Sequence, residues 1–355
     1  MYTTLLSLIA PQKARIVEPY VLVKHVNFVP YKVDVRSCCV RYIVIKSDFK
    51  PILPCLIVKK GSIISSEMNK NKLTKARPYI LLLPAIALAF LFAYRPFFRT
   101  VVNSLFNLSI IGKRISFVGL DTYSRLFSSA SFQDSLSNTL RFTLYFVPAN
   151  LIICLGAALL ANRKGKLAAL NQIFMFLPMA VAMSSSMMLF KMMFNPSIGI
   201  MNTLLGADIQ WFNDPKAAML LLVIAGIWLD IGFDFLLLIS ALRNVPTSLI
   251  EVARIEGANP WQLFTTLQLP LIAPTLLFVV ATSIKDAMLI SAPVLLLTEG
   301  GPFRSTQTLV YQMYLEGFKS GNYALGSAIA TVVFLLTFVV MLFLLRFEQR
   351  RVYYQ

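Results

Sequence analysis

Side chains suited to chemistry on a small molecule are scarce in this sequence. There is one histidine, His25, so imidazole acid–base catalysis and zinc coordination have almost nothing to be built from. The four cysteines offer no substitute. Cys38, Cys39 and Cys55 lie near the start, Cys154 sits within an apolar run, and no CxxC pair or metal-ligand spacing occurs. Adjacent Cys38 and Cys39 are poorly placed for an ordinary disulfide. The sequence has no GxxxxGKS or GxxxxGKT segment, the loop that cradles nucleotide phosphates. Charge is sparse as well: 14% of residues are charged, against about a quarter in an average soluble domain.

What is abundant is apolar. Hydrophobic residues make up 57% of the 355, and the mean hydropathy is +0.70. That composition belongs to a polytopic membrane protein. The net charge of +17, from 33 Lys and Arg against 16 Asp and Glu, does not point to nucleic acid, because no basic stripe interleaves with aromatics. Basic residues at the cytoplasmic ends of membrane spans account for it better.

Six apolar stretches are long enough to span as helices, at about 79–98, 140–161, 174–193, 217–242, 271–297 and 324–345. Lys70, Lys72, Lys75 and Arg77 precede the first, Arg163, Lys164 and Lys166 join the second to the third, and Arg346, Arg350 and Arg351 follow the last. With six alternating spans these groups share one side, which places both termini in the cytoplasm. Arg99, Lys113, Arg114 and Arg125, in the first outer connection, weaken that contrast without reversing it, and Arg141 and Lys191 near span ends are expected to snorkel. The chain thus divides into residues 1–67 and a transmembrane domain, 68–355. The first part has no apolar cluster near the roughly 20 residues needed to cross a bilayer and no signal-peptide pattern. It reads as an upstream extension outside the functional protein, or else as a small cytoplasmic regulatory segment.

The longest polar and amphipathic break in the second half is LIEVARIEGANPWQLFTTLQLP, within a cytoplasmic loop over 243–270. Pro246 ends the preceding span. Thr247 or Ser248 then caps a short helix, with Glu251 in its first turn where the helix dipole favours an acid. Gly257 supplies a flexible or left-handed position and Asn259–Pro260 restarts a helix. Trp261, Phe264, Thr265 and Gln268 follow at helical spacing, and Leu269–Pro270 closes the element. An idle interfacial helix would favour Lys and Arg, whereas this face carries Glu251 and Glu256 against Arg254. A docking element with apolar anchors fits better.

Glu251, Ala253, Gly257, Leu269 and Pro270 stand in the register of the EAA loop of ABC-importer permeases, which this stretch resembles. Val252 and Leu267 are mild departures, and Glu256-Gly257-Ala258 is similar to the Asp-Gly-Ala of sugar permeases. The segments FVGLDTYSRLF, NPSIGIMN…QWFNDP and TEGGPFRSTQTLVYQMY also resemble maltose-type sugar permeases. The resemblance covers about residues 75–350. It implies an all-α, six-span type I importer permease with a coupling helix near 257–266, seated in a cytoplasmic ATPase through Glu251, Ala253, Glu256, Gly257, Ala258, Trp261, Phe264, Leu269 and Pro270. It further implies an ATPase dimer that binds ATP and Mg, a second permease subunit and an extracytoplasmic solute-binding protein, with no cofactor on this chain. The expected partners are completed by membrane lipid, and the expected cargo is a sugar or small oligosaccharide, with glycerol phosphate as the alternative.

Ionisable residues interrupt two spans: Asp230 and Asp234 in the fourth and Lys285 and Asp286 in the fifth. Groups at such depth mark a pathway or a structural pair. Asp230 and Asp234, four apart, share a helix face, and either hydrogen-bonds a sugar hydroxyl or pairs with Lys285. Trp228 and Phe233 stack on a pyranose ring or pack between helices. The same acids would suit an ion-coupled secondary transporter, a second class that needs no ATPase.

Overall fold

The computed structural model describes residues 81–163 and 165–351, with side chains described as far as residue 346. The 1–67 extension, the leader cations Lys70, Lys72, Lys75 and Arg77, and Lys164 lie outside the described residues.

Helix α1 (Leu81–Asn103) leads into a small antiparallel hairpin, β1 (Phe106–Leu108) and β2 (Arg114–Phe117), and then the short α2 (Asp121–Ser128). Helices α3 (Ala130–Ala161), α4 (Lys166–Ala180) and α5 (Met183–Met193) follow. After α6 (Ile200–Leu205) comes α7 (Pro215–Arg243), opened by Asp214, whose carboxylate accepts from the backbone N–H groups of Lys216 and Ala217. The chain then forms α8 (Thr247–Ile255), α9 (Pro260–Met288), α10 (Leu309–Tyr314) and α11 (Tyr323–Arg351). Among the described residues five helices are long and apolar enough to cross a membrane, or six if α4 and α5 count as one broken span.

Helix α7 is the centre of the bundle, packed against α3, α4 and α9, while α11 joins α9 to α1. Small residues make the central contact possible. Cys154, Ala157, Ala158 and Ala161 of α3 meet Ile231, Phe235, Leu238 and Leu242 of α7. In lipid, where helices gain little from hydrophobicity, such close packing supplies the association. Gly226 serves the same contact: a Cβ there would stand 3.1 Å from the Phe146 ring.

Two expected spans differ in the structure. The stretch 174–193 is not one helix, because α4 and α5 meet at a 108° bend. Pro178 removes a backbone donor from the last turn of α4, and Val181 and Ala182 are extended. Hydropathy reads through such a break because both arms are apolar. The stretch 271–297 is also displaced. Its helix starts eleven residues earlier, at Pro260, and ends at Met288, and a separate π-helical turn covers Val294–Thr298. Leu269–Pro270 therefore closes nothing. A π turn at Leu263–Gln268, in which the Leu269 N–H donates to Phe264 O, shifts the hydrogen-bond register just ahead of the proline.

Candidate functional site

The loop between α7 and α9 holds one group of expected site residues. Thr247 is the first helical residue of α8, preceded by Pro246, and neither Thr247 nor Ser248 caps it with a side chain. Glu251 consequently falls in the second turn, not the first. Helix α8 ends at Ile255 with Glu256 as its C-cap, and beyond it Gly257 N–H donates to Arg254 O at 3.1 Å and Ala258 N–H to Ala253 O at 3.0 Å. Gly257 is left-handed, φ +86°, as that reversal requires. Asn259 then caps α9 reciprocally: its Oδ1 accepts from Gln262 N–H at 2.8 Å, and Gln262 Oε1 accepts from Asn259 N–H at 3.0 Å.

This geometry divides the loop's side chains into a seat and a contact surface. Leu263 and Gln268 are buried, Phe264, Ala253, Ala258 and Leu269 half-buried, and Glu251, Glu256, Trp261 and Pro270 exposed. Trp261, 72% exposed, stands over Phe264 with ring centroids 6.0 Å apart. Gln268, expected on the same face as Trp261, points inward because the π turn rotates the later residues. Leu249, Val252 and Ile255 were not singled out as anchors in the sequence, yet all three are exposed, Ile255 at 85%. Apolar residues in an otherwise polar reversal are the signal that would have found them.

The second group lies within the bundle. Asp234 is buried and accepts hydrogen bonds from Asn150 Nδ2 at 2.6 Å and Ser283 Oγ at 3.1 Å. Asn150 also donates to Ser283, and the Cys154 thiol lies 3.4 Å from Asn150 Oδ1. One carboxylate thus ties α3, α7 and α9 together. Asp230, one turn earlier, instead lines a cavity of about 180 Å³ with Asp286, Met183 and Ser291. Lys285 pairs with neither Asp230 nor Asp234. Its Nζ lies 2.8 Å from the carboxylate of its neighbour Asp286, because consecutive side chains reach each other at the end of α9. Trp228 donates its indole N–H to Ser186 Oγ at 3.3 Å and packs on Phe190. Phe233 is exposed on the bundle surface. The geometry brings Asp230, Asp286 and Lys285 to one place, sets Asp234 in a hydrogen-bond network between helices and sets Trp228 against Ser186 and Phe190. Asn150 and Ser283, the partners of Asp234, carry no local sequence signal, because nothing within either helix says which residue of another helix it will meet.

The family described as binding-protein-dependent transport system inner membrane component matches residues 150–353. The sn-glycerol-3-phosphate transport system permease protein UgpA of Pectobacterium atrosepticum is 32% identical over 282 residues, covering 78% of this chain and 96% of that protein. Its counterpart in Agrobacterium fabrum is 34% identical over 286 residues, covering 79% and 97%. Among solved structures, a chain of a bacterial alginate ABC transporter, in complex with an alginate pentasaccharide-bound periplasmic protein, superposes with a TM-score of 0.69. That match has 21% identity and covers 80% of this chain and 98% of that one.

Proposed function

This chain belongs to the family of binding-protein-dependent transport system inner membrane components, and we propose that its cargo is a neutral, hydroxyl-rich solute of the sugar or small-oligosaccharide class. It is a multi-pass permease subunit of an ABC importer in the cytoplasmic membrane, of the kind that carries sugars or glycerol phosphate. The observation that carries the finer reading is the charge of the intramembrane cavity. Asp230 and Asp286 both line it, and the cation beside them, Lys285, is already paired with Asp286. Carboxylates are strong acceptors for sugar hydroxyls and repel a phosphate. The relatives named for sn-glycerol 3-phosphate favour the second reading, an anionic cargo.

The remaining parts belong to the same proposal, with the loop as the surface that the ATPase meets. A cytoplasmic ATPase dimer binds ATP and Mg and receives Trp261 and the exposed apolar residues of α8, with Glu251 opposite a basic residue. This chain holds no cofactor of its own. A second permease subunit completes the pore, an extracytoplasmic binding protein delivers the solute, and both termini are cytoplasmic. Exposed Trp261 and Ile255 support the docking surface, since apolar anchors entering a groove are how helices engage partners.

ATP-driven uptake into proteoliposomes bearing the whole complex tests the cargo. Neutral sugar uptake is expected, and Asp230→Asn or Asp286→Asn lowers it roughly tenfold or more, the value of a hydrogen bond to a charged group. Uptake of sn-glycerol 3-phosphate with none of neutral sugars overturns the reading. Uptake driven by an ion gradient without an ATPase would return the chain to the secondary-transporter class.

A further inference from the structure

Helices α3 and α7, with Phe303, Arg304 and Ser305, border a second, larger space distinct from the Asp230 cavity. It is a groove of about 990 Å³, at the upper end of the range for small-molecule pockets, roughly 300–1,000 Å³. On α3 it runs along Leu144, Tyr145, Pro148 and Ile152, a different face from the Phe142 and Phe146 that border the Asp230 cavity. Leu144 and Ile152 are 69% and 70% exposed, on the side of α3 that the bundle leaves uncovered.

The groove is graded from charged to apolar. Arg141, Lys216 and Arg304 line it together with a single carboxylate, Asp134. None of the three cations has an ion-pair partner among the described residues. With 32 residues α3 is about 48 Å long, well beyond a hydrocarbon core of about 30 Å. Arg141, eleven residues in from Ala130, stands at the edge of the apolar stretch at about 140–161, and Lys216 at the start of α7. Leu144, Pro148 and Ile152 continue along α3 from there toward the hydrocarbon.

Arg304 is held there by the fold. Its backbone is left-handed, φ +59°, which a non-glycine residue adopts only at a cost. Asn138, buried one turn before Arg141, fixes it by donating to Arg304 O at 2.6 Å and Gln307 O at 3.2 Å. Cations on the expected outer side also run against the usual charge bias of membrane proteins, so orientation does not explain them.

The geometry points to a binding site for an anionic phospholipid. Its phosphate meets Arg141, Lys216 and Arg304, and an acyl chain lies along Leu144, Pro148, Ile152 and Leu220. Three cations against one acid complement the headgroup, and the uncovered apolar floor complements the chain. This site is independent of the cargo assigned to the Asp230 cavity.

Native mass spectrometry of the intact transporter complex, released from nanodiscs of mixed phosphatidylglycerol and phosphatidylcholine, tests the proposal. The wild-type complex is expected to retain phosphatidylglycerol in preference to phosphatidylcholine. Each of Arg141→Gln and Arg304→Gln should weaken that retention about fivefold, the effect of one basic residue near a charged membrane surface, while Arg141→Lys preserves it. Equal retention of both lipids by the wild type, which requires no variant to fold, overturns the site. So does displacement of phosphatidylglycerol by soluble glycerol phosphate, which would make it a site for free anions. A photo-crosslinker at Leu144 that captures a second protein chain instead of lipid also overturns it.

Discussion

At the residue scale, Asp230 and Asp234 show how far one sequence signal divides. They stand one turn apart on the same helix face, and sequence offers no ground for separating them. In the fold Asp234 is enclosed by Asn150 and Ser283, whereas Asp230 opens on the cavity. A buried carboxylate stripped of its donors is costly, so the Asn150 amide is a structural group. Asn150→Ala is expected to destabilise the detergent-solubilised protein by about 1–3 kcal/mol, a fall of several degrees in unfolding temperature. Asp286→Asn, at a half-exposed ion pair, should leave the unfolding temperature within about 1 °C, because such pairs contribute little. Differential scanning fluorimetry separates the two. Equal melting of Asn150→Ala and the wild type would remove the three-helix tie from the account.

At the element scale, the α8–α9 reversal determines what faces outward. Its φ of +86° at Gly257 disfavours any side chain. A Cβ there would meet nothing within 4 Å, so substitution costs conformation, about 1–2 kcal/mol, and not packing. Gly257→Asp is expected to misplace Trp261 relative to Ile255, and Glu251→Lys to reverse the charge offered to the ATPase. Both should uncouple ATP hydrolysis from uptake while leaving membrane insertion intact. The check is to measure hydrolysis and uptake on one proteoliposome preparation, and normal uptake in both variants would count against docking. Trp261 and Asp286 stand on one continuous helix, since α9 runs from Pro260 to Met288. That continuity is hidden as long as Leu269–Pro270 reads as a stop.

At the scale of the whole molecule, the bundle has a centre in α7 and an edge in α1, none of whose span is buried within the chain. The proposed sidedness rests on the charge bias and the loop. In a background without native cysteines, Ser248→Cys should react with a membrane-impermeant maleimide only from the cytoplasmic side. Phe303→Cys, at a residue 91% exposed, should react only from outside. Labelling of both from one face would overturn the six-span topology.

The sequence alone determined the class of protein, the approximate positions of its spans and the register of the α8–α9 loop. Those features depend on local properties: runs of apolar residues long enough for a bilayer, a glycine where the chain reverses, an Asn-Pro pair that restarts a helix. Other features depended on contacts between residues 49 to 133 positions apart, such as the Asp234–Ser283 and Asn150–Ser283 hydrogen bonds. The 108° bend within the third apolar run, the continuity of α9 through Pro270 and the pairing of Lys285 with Asp286 were likewise decided only in three dimensions. Hydropathy measures how apolar a stretch is; it holds no information on which way a helix turns or which acid its neighbours enclose.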